Sequence, residues 1–204
     1  MKVKRRRSGS RYPLLIYRRA MDRLWKPTLI LGILLTFLWW WSWYRGGINL
    51  STSADLWIAI GALGVWAFSL FTFFARKMAY AQPRQNHLRL VTPFLRLNIS
   101  YKRIRNTHPA DFHQLFPANE ASWAQERFLL PFYGMTTVVV EMNSYPISRV
   151  FLRLFLAPQM FSKREIAFVL LVPDWMSFST ELDTFRGVWL QSQNRRLKKP
   201  IRYY

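Results

Sequence analysis

Three patterns of apolar and polar positions succeed one another along the chain. In the middle pattern, Pro27 to Tyr44 (PTLILGILLTFLWWWSWY) and Leu56 to Ala75 (LWIAIGALGVWAFSLFTFFA) contain no charged residue over 18 and 20 positions. A helix rises about 1.5 Å per residue, so about 20 residues match a hydrocarbon core of roughly 30 Å and both runs are long enough to cross a bilayer. The alternative is a pair of buried helices in a water-soluble core, but such helices seldom run this far without a charge. Between them, residues 45–55 (RGGINLSTSAD) make a short Gly- and Ser-containing connection suited to an antiparallel helical hairpin. Trp39, Trp40, Trp41, Trp43, Tyr44 and Trp57 fall where an aromatic belt at one membrane face belongs, with Trp25 at the opposite end. A cleavable signal peptide fits poorly, because the apolar run starts late, is long, and has no small-residue cleavage site before the Trp cluster. In the second run, Gly61, Gly64 and Ala67 leave a narrow stripe suited to close packing against the first span or a partner helix; lipid-facing filler is the equal alternative.

Upstream, residues 1–11 are basic and rich in small residues, which predicts disorder or ordering only on a surface. After Pro13, Leu14, Tyr17, Met21, Leu24 and Trp25 recur at spacings of three, four, three and one, and Arg18, Arg19, Asp22 and Arg23 fill the rest of the turn. This predicts an amphipathic helix in the headgroup layer, with its Arg face toward anionic lipid. Lys26-Pro27 offers a break before the first span. A basic helical extension of that span is the alternative.

Downstream, the period changes to two. His87 to Thr92 and Phe94 to Ser100 alternate, with Leu95, Leu97 and Ile99 on one face and Arg96, Asn98 and Ser100 on the other, predicting paired strands. Met135 to Met142, Val150 to Leu156 and Ala167 to Val172 are β-branched or aromatic and add further strands, although Val150 to Leu156 reads equally as a helix. Phe178, Leu182, Phe185 and Trp189 recur at four, three and four behind the candidate caps Ser179 and Thr180, with Asp183 three residues after Thr180. The order is a run of antiparallel strands closed by one amphipathic helix. The expected divisions are a basic arm and interfacial helix over 1–26, the hairpin over 27–75, and a β domain with C-terminal helix and basic tail over 76–204.

Composition then fixes orientation. The chain has 30 Lys and Arg against 10 Asp and Glu, a net charge of +20, yet 51% of it is hydrophobic and 17% aromatic, which argues against disorder. Ten basic residues precede the first span, one lies between the spans, and 19 follow the second against 8 acidic ones, a net +11 there. Basic residues stay in the cytoplasm, so both termini are expected there, in a two-pass inner (plasma) membrane protein. With no cysteine, disulfides, Cys-ligated metals and thiol nucleophiles are excluded.

The stretch LNISYKRIRNTHP, residues 97–109, resembles the corresponding part of bacterial pleckstrin-homology-like (PH-like) domains, which commonly sit beside a pair of membrane spans. The likeness covers the layout of roughly residues 80–195, and its local motif is an apolar, Tyr, basic, basic, Ile run. It implies a small split barrel capped by a C-terminal helix, serving binding and assembly rather than catalysis. It also implies that Lys102, Arg103 and Arg105 play the part of the basic cluster that binds inositol phosphates in eukaryotic relatives, although their spacing departs from that motif.

Catalytic chemistry has little to stand on. His108, Asp111 and His113 are metal-ligand types, but their spacing favours a helix of residues 110–116 opening at Pro109 over a metal site. His87 is alone and reads as the end of a strand. No nucleophile elbow or Gly-rich phosphate loop occurs, the acidic residues are scattered, and the spans carry no ionisable group for a relay. No enzyme activity, metal or cofactor is expected. The sequence therefore reads as a transmembrane hairpin followed by a cytoplasmic PH-like β domain: a scaffold or accessory subunit of a membrane complex that contacts anionic headgroups and other membrane proteins. The lipid-contact candidates are Arg5, Arg6, Arg7, Arg18, Arg19, Arg23, Lys102, Arg103 and Arg105. A membrane-tethered nucleic-acid binder is the alternative, since Tyr101, Trp123 and Tyr133 lie near basic residues, but no nucleic-acid motif is present.

Overall fold

The computed structural model describes residues 8–45, 52–120, 122–162 and 165–197. The chain divides into two compact units. Residues 18–77 form one, and the segment ending at Tyr17 joins the segment from Met78 onward to form the other.

The first unit is built from two helices, α1 (Leu15–Arg45, 31 residues) and α2 (Thr52–Met78, 27 residues). Both are long and apolar enough to cross a membrane. They are also largely bare: Ile30 is 57% exposed and Leu63 72%. Trp66 Nε1 donates to Thr36 Oγ1 at 3.0 Å, and Gly32 faces Trp66 and Val65 at a distance where a Cβ would make ordinary contact, 3.5 Å. Further along, the Trp25 and Phe73 rings pack with centroids 5.6 Å apart. Arg76 pairs with Asp22 at 3.2 Å while its guanidinium lies 4.4 Å from the centre of the Phe73 ring. The contact thus uses Gly32, Val65 and Trp66, whereas Gly61 and Gly64 face open space.

Pro27 does not break α1. Proline removes one donor from the helix, and the neighbouring Thr28 hydroxyl donates to both the Leu24 and Trp25 carbonyls at 2.9 Å. The separate interfacial helix expected before Lys26 is accordingly absent as an element, and the basic residues extend α1 instead.

The second unit holds two antiparallel sheets. The four-stranded sheet runs in the order β1 (Tyr12–Pro13), β2 (Tyr80–Pro83), β3 (His87–Val91), β4 (Arg96–Ser100). The three-stranded sheet runs β5 (Ile104–Asp111), β6 (Thr136–Met142), β7 (Ala167–Leu170). The expected alternation holds in β3 and β4, where Leu88, Leu90, Leu97 and Ile99 are buried and Arg96 and Asn98 exposed. His87 opens β3 rather than ending a strand, and Phe94 and Leu95 belong to the turn, where Leu95 N donates to Thr92 Oγ1 at 3.1 Å. Strands β6 and β7 are buried along nearly their whole length and form the centre of the core with Phe178 and Leu182.

Short helices connect the strands: α3 (Phe112–Leu115), α4 (Trp123–Leu129) and α5 (Arg149–Phe155). The chain closes with α6 (Trp175–Leu197), which lies against β2, β5 and β6 and so touches both sheets. Its cap is Asp174, whose Oδ1 accepts from Ser177 N at 2.9 Å, rather than Ser179 or Thr180. Residues 149–155 are helical because Ser148 caps them, its Oγ accepting from Phe151 N at 3.4 Å, and Leu152 alone of the early turns turns inward.

The arm before the first span differs most from expectation. Tyr12 pairs with Ala81 and Pro13 with Tyr80, Ser8 bridges to Arg84, and Gly9 N donates to Pro83 O at 2.8 Å. Leu14 N then donates to Ala79 O and Leu15 N to Leu171 O. Leu14, Ile16 and Tyr17 are buried, so the first turn of α1 is a core element of the β unit and not a lipid-facing surface. Of residues 1–11, expected to be disordered or to order only on a surface, the described residues 8–11 are tied to β2 through Ser8 and Gly9 and lead into the edge strand β1.

Candidate functional site

The basic candidates do not gather in one place. Arg5, Arg6 and Arg7 lie outside the described residues, as does the side chain of Trp43. Arg18 and Arg23 project from α1 and are exposed, while Arg19 is half-buried. Trp39, Trp40, Trp41, Tyr44 and Trp57 are all exposed on the helical unit, whereas Trp25 is half-covered by Phe73. Ala67 is exposed beside Gly61 and Gly64, on the side of α2 away from Gly32.

Lys102, Arg103 and Arg105 sit where β4 turns into β5 through a 3-10 turn, Tyr101–Arg103. The turn is anchored from below: Tyr101 is buried, its hydroxyl donates to Arg84 O at 2.5 Å, and its ring meets Trp189 edge-on. Burial raises the Tyr101 phenol well above its ordinary value. From this anchored corner the three cations diverge. Arg103 Nη1 donates to Tyr145 O at 3.1 Å. Arg105 borders a polar recess that Glu141 and Glu165 also line. Lys102 is exposed.

The His108, Asp111, His113 group is also dispersed. Pro109 and Ala110 are paired within β5, opposite Val138 and Thr137, so no helix opens at Pro109. Asp111 caps α3, accepting from His113 N at 3.0 Å, while His108 faces Glu141 with Nδ1 to Oε1 at 3.1 Å. Among the described residues no cluster of three or more His, Cys, Asp or Glu side chains is placed to hold a metal.

Two further features join residues far apart in the sequence. One is a carboxylate latch on the arm: Glu181 of α6 accepts from Ser10 N at 3.1 Å and from the Tyr12 hydroxyl at 2.9 Å. Burial, with the Glu181 hydrogen bond second, pushes the Tyr12 phenol up to about 12. The other is a cleft of about 180 Å³ bordered by Arg149 and Arg153 of α5, Leu129 of α4, Phe116 and Phe161. Arg149 Nη2 donates to Ser162 O at 3.3 Å, and its guanidinium lies 6.0 Å from the centre of the Tyr145 ring. Among the described residues neither arginine has a carboxylate within ion-pair distance. The sequence signal for this site is Ser148 as a helix cap ahead of residues 149–155, while the four-residue spacing of Arg149 and Arg153 suits a helix and a strand alike.

No family model matches the chain, and neither a curated protein nor a solved structure matches it.

Proposed function

We propose that the chain is a non-catalytic, membrane-anchored binding or scaffold protein. In this reading α1 and α2 cross an inner (plasma) membrane, both termini are cytoplasmic, and the β unit is a PH-like domain that contacts anionic lipid and partner subunits of a membrane complex. The observation that carries it is the pairing of Tyr12 with Ala81, which makes the hairpin an insertion between two neighbouring strands of one folded unit. An insertion that leaves and re-enters the same unit supports an even number of crossings, with the basic segments on both flanks kept on one side. The bare apolar faces of α1 and α2 favour lipid around them over a water-soluble core. The four-stranded and three-stranded sheets closed by a 23-residue C-terminal helix favour the PH-like layout, with its first strand placed ahead of the hairpin.

Because the chain has no cysteine, single cysteines report its topology directly. A membrane-impermeant maleimide applied to sealed vesicles of known orientation should reach Gln191→Cys from the cytoplasmic face and Asn49→Cys from the other. Reaction of both from one face would defeat the two-pass reading. For function, crosslinking in native membranes should yield adducts with another membrane subunit, and a fluorophore at Lys102→Cys should report salt-sensitive contact with anionic lipid. A chain that migrates alone and shows no such contact is not a scaffold of this kind. Salt-dependent retention on DNA in place of lipid would favour the nucleic-acid alternative.

A further inference from the structure

Helix α5 presents an unusual outer surface for a folded unit. Its inner side is fixed by Leu152, fully buried, and by Leu156 just beyond its end. Directly opposite, Val150 is 83% exposed and Leu154 76%, four residues apart and therefore adjacent on the helix, with Phe151 at 44% beside them. Arg149 and Arg153, also four apart, flank this ridge and line the cleft described above, with no carboxylate partner among the described residues. An apolar ridge beside two uncompensated guanidinium groups calls for an occupant that is apolar where it meets Val150 and Leu154 and anionic where it meets the arginines.

A bilayer containing anionic phospholipid meets both requirements, with acyl chains against the ridge and phosphates against the arginines. Charge complementarity favours it, since residues 76–204 carry 19 basic and 8 acidic residues. Tethering favours it too. A seven-residue helix with three apolar side chains binds weakly alone, but attachment to membrane-spanning helices places it at high effective concentration near lipid. We propose that α5 is a membrane-docking wedge: Val150, Phe151 and Leu154 enter the boundary between headgroups and acyl chains, and Arg149 and Arg153 hold lipid phosphates. This rests on the reading of α1 and α2 as membrane spans and adds a lipid-contact site to that proposed at Lys102, Arg103 and Arg105.

The test uses the full chain in nanodiscs of phosphatidylcholine with or without phosphatidylglycerol. An environment-sensitive fluorophore is placed singly at Val150→Cys, Leu154→Cys, Lys102→Cys or, as a control on α6, Met176→Cys, which is 62% exposed in the native side chain. With phosphatidylglycerol present, the labels at 150 and 154 should shift to the blue and be quenched by acyl-chain nitroxides, and the label at 176 should not. Arg149→Gln with Arg153→Gln should lower the docked-to-free ratio by about thirty-fold. Labels at 150 and 154 that stay aqueous in the anionic discs overturn the proposal. So does quenching indifferent to phosphatidylglycerol and to the two arginines, or burial of residue 150 only when a second protein crosslinks to it. If the label at 102 meets lipid while those at 150 and 154 do not, the wedge is wrong and the broader lipid reading survives; if none does, both fall.

Discussion

Ile16→Ala separates a packed arm from a lipid-lying one. Ile16 is 1% exposed in the first turn of α1, within the β unit, and the exchange removes three carbons from a fully enclosed side chain. At about 0.8 kcal/mol per buried methylene the transfer loss alone is about 2.4 kcal/mol. The cavity left behind adds to it, within the 2–5 kcal/mol typical of such truncations. Detergent-solubilised helices resist urea, so hydrogen exchange of the full chain in micelles is the better assay, read at the paired amides of β3. In the regime where exchange tracks the opening equilibrium, a loss of about 2.4 kcal/mol accelerates those amides about sixty-fold. Leu24→Ala, on the same helix but 43% exposed and in the other unit, should leave them within about 0.5 kcal/mol of wild type. If Ile16→Ala leaves β3 exchange unchanged, the arm is not part of the β unit, and the expectation of a surface helix over residues 14–25 is restored.

Gly9→Ala should destabilise the unit by roughly 1–3 kcal/mol by the same assay, because the new Cβ would sit 2.8 Å from the Glu181 carboxyl and 2.9 Å from the Pro83 carbonyl, and the backbone oxygen has little room to yield. Glu181→Ala should cost about 0.5–1.5 kcal/mol, since it removes the hydrogen bonds to the exposed Ser10 N–H, which water can replace, and to the part-buried Tyr12 hydroxyl. The Tyr12 phenol stands at about 12 in the fold against 10.0 ordinarily. The native state therefore holds its proton longer than the unfolded state, and this contribution to stability is complete below pH 10 and lost as pH rises from about 10 to about 12. In Tyr12→Phe the alkaline fall in melting temperature over that window should be shallower, and an identical slope would remove the latch from the account. Leu152→Ala should cost about 2–5 kcal/mol and Val150→Ser within about 0.5 kcal/mol in lipid-free micelles, which distinguishes the inner from the outer side of α5.

The apolar runs were readable because eighteen to twenty uncharged positions have few other uses, and β3, β4 and β6 because alternation or a β-branched run leaves one assignment. The phase from Phe178 to Trp189 marks the C-terminal helix, but the helix starts a turn earlier than Ser179 and Thr180 suggest, since Asp174 outcompetes the later hydroxyls as cap. Helix α4 has a capping-box signature in the sequence: Ser122 followed three residues on by Gln125, whose Oε1 accepts from Ser122 N at 3.3 Å. Residues 150–156 were ambiguous because VFLRLFL alternates as a strand does, and exposure of Val150 and Leu154 is a tertiary fact that composition does not carry. The arm is ambiguous for a different reason. A two-residue strand has no period, and Leu14 and Tyr17, three apart, suit a lipid-facing helix as well as a core. What decides between them is β2, beginning at Tyr80 on the far side of the hairpin.

That arrangement ties topology to folding. Closing a loop from Tyr12 to Ala81 through an unstructured chain would carry the entropy cost of a long loop, yet a helical hairpin returns its own ends to one side and removes most of it. In a bilayer the converse follows. A molecule whose first helix failed to cross would leave Tyr12 and Ala81 on opposite faces, β1 could not add to β2, and Leu14, Ile16 and Tyr17 would have no core to enter. On the two-span reading proposed above, strand pairing across the hairpin requires only that both flanks lie on one side, and the basic residues on both flanks add which side by charge retention during insertion. A chain inserted wrongly would not only be misoriented but would lack the edge strand and three core residues of its β unit, which exposes the β2 edge to the quality-control proteases that clear unfolded membrane proteins.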